Sequence, residues 1–138
     1  EATGVLMHEI GEHYGIRRLL GDERYRVMLG ELRELRSTPE VREAWATVKR
    51  NYKLDEDNPS FLREVAAHLV ETHPDLPFVR RLVNEIRAFF YQHFGTTMGN
   101  RVDANLVRGL AASALRSASE GALPRRPMRF DGTPIPAR

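Results

Sequence analysis

Two histidines and two glutamates fall within six residues near the start of the chain, His8-Glu9-Ile10-Gly11-Glu12-His13. Imidazoles and carboxylates at this density are the ingredients of a hydrolytic metal site. In the familiar zinc-peptidase helix, two histidines four residues apart hold the ion from one face. The glutamate after the first histidine is then the general base toward the metal's water. Here the histidine spacing is five. At about 100° per residue, a regular helix sets His8 and His13 roughly 140° apart rather than roughly 40°. One i to i+5 turn would return both to the same face, and Gly11 removes a side chain that would oppose it. The i,i+4 pairs His8/Glu12 and Glu9/His13 would chelate without distortion, so both arrangements stay open. A third possibility needs no metal. The four side chains share a helical sector with Val5, Leu6, Ile16, Leu19 and Leu20. Burying them is costly unless they pair with one another or hold an ion.

A second group lies in "SFLREVAAHLVETH". Glu64, His68 and Glu71 align at i, i+4 and i+7, opposite an apolar stripe of Phe61, Leu62, Val65, Ala66, Leu69 and Val70. That polar side faces either a metal or solvent. The other histidines read plainly, His73 as a helix end before Pro74 and His93 as a residue favourable near a helix C-terminus. Phe89, Phe90, Tyr91 and Phe94 read as core, and "RRLVNEIR" as an exposed helix face.

The elements that must carry these groups are all helical. Residues 2–20 hold the opening motif on one helix. Asp22 is placed to cap a second helix reaching about Arg36, with Tyr25, Met28, Leu29, Leu32 and Leu35 as its stripe. Thr38-Pro39 and Asn58-Pro59 are start signals for two more, separated by the polar, acidic loop "NYKLDEDN". Pro77 opens a helix that Gly95 is expected to end, "TTMGNRV" connects, and Asp103 caps a last helix running to Gly121. No segment alternates long enough for a strand. The expected fold is all-α, about six helices in one domain over 1–121. An extended tail over 122–138 follows, broken by Pro124, Pro127, Pro134 and Pro136.

Composition narrows the function. With 138 residues, 41% hydrophobic, the chain is long enough for one real core. Mean hydropathy is −0.46, and no apolar run approaches the ~18 residues of a membrane span. A net charge of +2 comes from 21 basic and 19 acidic residues whose signs are interleaved. Neither nucleic acid nor membrane is expected as a partner. The three arginines of "PRRPMR" lack an aromatic platform and do not alter that. The absence of cysteine removes disulfides, thiol nucleophiles and thiolate metal sites, and suits a reducing, cytoplasmic setting. No secretory signal is read at the start, and "EATGVLMHEI" is expected to belong to a longer parent chain.

The spacing HExxxH resembles the expanded motif of dipeptidyl peptidase III. More closely, "VLMHEIGEHYGIRRLLG" followed by "FLREVAAHLVETHPDLPFVRRLVNEIRAFFYQHFG" looks like the zincin-like metallopeptidase modules of the large polyvalent proteins of phages and mobile elements. The likeness spans roughly residues 4 to 95. It implies Zn as cofactor, His8 and His13 as ligands, Glu9 as general base and Glu64 as third ligand. His68 and Glu71 remain alternatives for that third position. The implied partners are a peptide or protein substrate and neighbouring domains of the parent chain. A second expectation, from a different class, is a non-catalytic helical interaction or structural module, a decayed peptidase included, whose His/Glu cluster is held by hydrogen bonds.

Overall fold

A proline sets three of the helix starts, and at two of them, Thr38-Pro39 and Asn58-Pro59, the residue before it is extended. The computed structural model describes residues 15–101 and 103–117. In it α3 (Pro39–Asn51), α4 (Pro59–Thr72) and α5 (Pro77–Arg101) all begin on proline, whose missing N–H would have no helical partner there anyway. Asn58 completes its start signal by accepting a hydrogen bond from Ser60 N at 2.9 Å. Asp103 does the same for α6 (Ala104–Arg116), accepting from Leu106 N at 2.8 Å. With the segment 15–20 (α1) and α2 (Asp22–Glu34), the chain is all-α. There is no strand among the described residues, and no helix there is long and apolar enough to cross a membrane.

Four boundaries differ from expectation. Asp22 is the first residue of α2 rather than its cap. Gly21 takes the cap position with φ 88° and ψ 160°, and Asp22 instead accepts from Arg17 Nε at 2.7 Å. α2 stops at Glu34, and Leu35–Ser37 tighten into a 3₁₀ turn. There the Thr38 hydroxyl donates backward to Leu35 O at 2.7 Å instead of capping α3. Gly95 does break the helix, with φ 79° and ψ 172°, but helical structure resumes as far as Arg101. The glycine makes a kink, since no proline follows to forbid renewed backbone bonding. α6 ends at Arg116, because Ser117 turns extended at φ −64° and ψ 132°. The expected tail over 122–138 lies outside the described residues.

α4 occupies the middle. It packs against α2, α3, α5 and α6, and Phe61, Leu62, Val65, Ala66, Ala67, Leu69 and Val70 are all buried. Trp45 of α3 meets Phe61 edge-to-face, with ring centroids 5.3 Å apart, a pairing that adds about 0.5–1.5 kcal/mol to the area it buries. The stripes read for α2 and α3 point inward as expected, Leu35 only partly. Ile16 and Leu19 of α1 join the same core. Of the aromatic run in α5, Phe90 is buried and Phe89 half-buried, whereas Tyr91 is exposed. The face "RRLVNEIR" is likewise not simply solvated. Arg24 of α2 binds both carboxylate oxygens of Glu85, at 3.0 and 2.6 Å, and Arg81 pairs with Glu31 of α2.

Candidate functional site

The 3.6-residue period of α4 puts its apolar residues on one side and leaves Glu64, His68 and Glu71 in line on the other. That line meets α6. Arg116, the last residue of α6, donates from Nη1 to Glu71 Oε2 at 2.7 Å and from Nη2 to Glu71 Oε1 at 2.9 Å. It also donates from Nε to Glu64 Oε2 at 3.2 Å. The polar side of α4 is thus neither plainly solvated nor free of partners.

Two carboxylates share one guanidinium, so the three groups together carry a net negative charge. The Arg116 bond holds the Glu71 carboxyl below the usual carboxylate range against the opposing effect of burial. The charges of Arg116 and of nearby His68 lower it further. The two glutamates raise the Arg116 pKa, with the Glu71 bond the largest contribution. Their settings differ. The Glu64 side chain is 16% exposed and Glu71 47%. Both oxygens of Glu71 are engaged, whereas Glu64 is held through Oε2 alone, and no other hydrogen bond reaches it among the described residues.

His8, Glu9 and His13, with Glu12, lie outside the described residues. The structure picks up the chain at Gly15, whose φ of 70° is not a right-handed helical value. A regular helix over 2–20 therefore does not pass through that residue. One residue later Ile16 is fully buried, so the chain enters the core three residues beyond His13. Among the described residues no three His, Asp or Glu side chains form a group able to hold a metal. Glu64, His68 and Glu71 do not make such a site by themselves. A centre that includes Glu64 takes its remaining ligands from elsewhere in the chain.

Arg116 is the residue that sequence reasoning missed. Its only local signal is a basic side chain in the last turn of a helix, ordinarily read as a dipole contact. Its partners lie 45 and 52 residues earlier.

No family model, no curated protein and no solved structure matches this chain.

Proposed function

We propose that the chain is a zinc-dependent, zincin-like peptidase module or part of one, in which His8, His13 and Glu64 hold the metal and Glu9 is the general base. The observation that carries this reading is the sequence His8-Glu9-…-His13, joined within three residues to the core that α4 also builds. Glu64 supports it through its donor chemistry. It is a largely sheltered carboxylate, fixed through one oxygen by Arg116, with its other oxygen uncommitted among the described residues. Carboxylate ligands are commonly oriented by such an outer hydrogen bond.

Zinc, when bound, supplies Lewis-acid polarisation and makes water a nucleophile near neutral pH. The residues do the rest. Glu9 takes the proton from the attacking water and returns it to the leaving amine. Arg116 holds Glu64 in one orientation and engages both oxygens of Glu71. The occupants that follow are a peptide or protein substrate and, through the parent chain, neighbouring domains.

The test is the metal content of the freshly purified chain. Emission spectrometry is expected to find about one Zn per chain, and His8→Ala to lose most of it. Less than about a tenth of an equivalent after zinc supplementation would remove the reading. Glu9→Gln keeps the shape and removes the base, so zinc is retained while peptide turnover falls at least about a hundredfold.

One observation favours the second reading, a helical interaction or structural module. The fork of Arg116 on Glu71, with its reach to Glu64, fastens α6 to α4 and gives both glutamates a structural role without a metal. On that reading His8→Ala changes stability and leaves metal content where it was.

A further inference from the structure

Away from that cluster, the end of α2, the 3₁₀ turn and α3 enclose an open groove of about 640 Å³, within the 300–1,000 Å³ typical of ligand sites. Trp45 forms part of its wall, and Arg33, Arg36, Arg42 and Lys49 surround it. Glu56, from the loop between α3 and α4, shows what these groups bind. Its Oε1 accepts from Trp45 Nε1 at 2.6 Å and from Arg36 Nη2 at 2.6 Å, and its Oε2 accepts from Lys49 Nζ at 2.8 Å. The guanidinium of Arg36 also lies over the Trp45 ring, 4.8 Å from its centroid. One end of the groove is therefore a built carboxylate receptor, filled by the chain's own glutamate.

The other cations are not used up. Arg33 and Arg42 are exposed and make no side-chain hydrogen bond or ion pair among the described residues. Against the four cations stand Glu34 and Glu56, leaving a surplus of two positive charges. Guanidinium forks match carboxylates in pairs of parallel hydrogen bonds.

We propose that this groove binds an acidic peptide segment of a partner protein, with Arg33 and Arg42 taking carboxylates beside the one that Glu56 already supplies. The charge pattern favours a peptide over nucleic acid. A nucleic-acid backbone is tracked by many cations and tens of ångströms of basic surface, whereas this surplus is small, local and interrupted by two carboxylates. The inference does not depend on the zinc reading, since none of its residues belongs to that cluster.

Trp45 is the chain's single tryptophan, so its emission reports directly on the groove. The full chain is titrated at low salt with a blocked penta-glutamate peptide, its penta-glutamine counterpart, inorganic phosphate and a thymidine oligonucleotide. Penta-glutamate is expected to give a saturable change below about 5 mM. Rising salt should weaken it, because these charges are exposed to screening ions. Penta-glutamine should give no change, and phosphate a weaker one. The double variant Arg33→Gln/Arg42→Gln should bind at least about tenfold more weakly. Arg80→Gln removes an exposed charge of α5, outside the groove, and should bind as the unmodified chain does. The proposal is overturned by no saturable response to penta-glutamate, by phosphate or the oligonucleotide binding as tightly as the acidic peptide, or by the double variant binding unchanged.

Discussion

Arg116 closes both outer guanidinium nitrogens on the two carboxylate oxygens of Glu71, at 2.7 and 2.9 Å, across 45 residues of chain. A fork of this kind fixes direction as well as distance, so it sets the end of α6 against the middle helix at one register. The third nitrogen, Nε, reaches Glu64 one helical stretch earlier on the same face of α4. The polar line of α4 is therefore a seam between two helices, and Glu64 is its sheltered end.

Removing Arg116 should cost more than removing an ordinary surface cation. Arg116→Ala leaves Glu64 largely sheltered without its only hydrogen-bond donor among the described residues, a loss of about 1–3 kcal/mol. Arg116→Lys keeps the charge and cannot make the fork, so it should fall between the two. The comparison is Arg24→Ala, whose partner Glu85 sits in a more open pair and whose loss should cost distinctly less, as exposed pairs do. Urea midpoints at constant slope measure all three. Equal midpoints for Arg116→Ala and Arg24→Ala would show that the α4–α6 seam adds nothing beyond a surface pair.

Acid should weaken the fold through Glu56. The Lys49 bond, then the Trp45 bond, holds its carboxyl below the ordinary value of 4.5. A folded-state value below the unfolded one gives stability that is fully present above the unfolded value and is lost as pH falls through the folded one. The Arg116-bound Glu71 acts in the same direction. Glu56→Gln should therefore be less stable near pH 7 and show a shallower decline below about pH 5. Denaturation followed by Trp45 emission across that range is the measurement. An unchanged acid slope in Glu56→Gln would place the pH dependence elsewhere.

What could be read from the sequence was what neighbouring residues decide. Thr38-Pro39, Asn58-Pro59 and Pro77 marked helix starts correctly because the missing N–H of proline acts within a single turn. The line Glu64, His68, Glu71 was legible for the same reason, since helical spacing alone places it opposite the apolar stripe. Gly95 was legible as a break but not as a kink, because whether a helix resumes depends on residues beyond the glycine. The loop "NYKLDEDN" read as merely acidic. Glu56 is the meeting point of Lys49, Trp45 and Arg36, which lie 7, 11 and 20 residues away, and only the packed fold brings them together. Arg116 went unread on the same grounds.

Gly21 should resist substitution although nothing crowds it. It joins α1 to α2 at φ 88° and ψ 160°, and a Cβ built there meets no atom within 4 Å. That backbone region is essentially restricted to glycine and costs other residues about 1–3 kcal/mol. Gly21→Ala should lose that much, whereas Gly30→Ala, in the body of α2 with equally open surroundings, should be neutral or gain up to about 1 kcal/mol in helix propensity. Thermal melts of the two variants compare backbone strain directly. An unaffected Gly21→Ala would mean that the joint relaxes.

The choice among Glu64, His68 and Glu71 as third ligand can be made by zinc-dependent stability. A ligand that binds only the folded chain stabilises it by about 2.7 kcal/mol at a hundred times its dissociation constant, so zinc should raise the melting temperature of the unmodified chain. Glu71 has both oxygens committed to Arg116, and Glu64 has one free of any partner among the described residues. Glu64→Gln is therefore expected to lose most of the zinc-induced shift, while Glu71→Gln and His68→Ala keep it. Glu71→Gln also relaxes the grip of Arg116 and lets the guanidinium move toward Glu64, so a modest weakening there is consistent and a complete loss is not. If His68→Ala or Glu71→Gln abolishes the shift while Glu64→Gln preserves it, the ligand assignment moves along the helix and the zinc reading stands. If the unmodified chain shows no shift, or His8→Ala shows the same shift as the unmodified chain, the HExxxH segment does not hold zinc. The Arg116 seam would then be what it is on the second reading, a fastening between two helices.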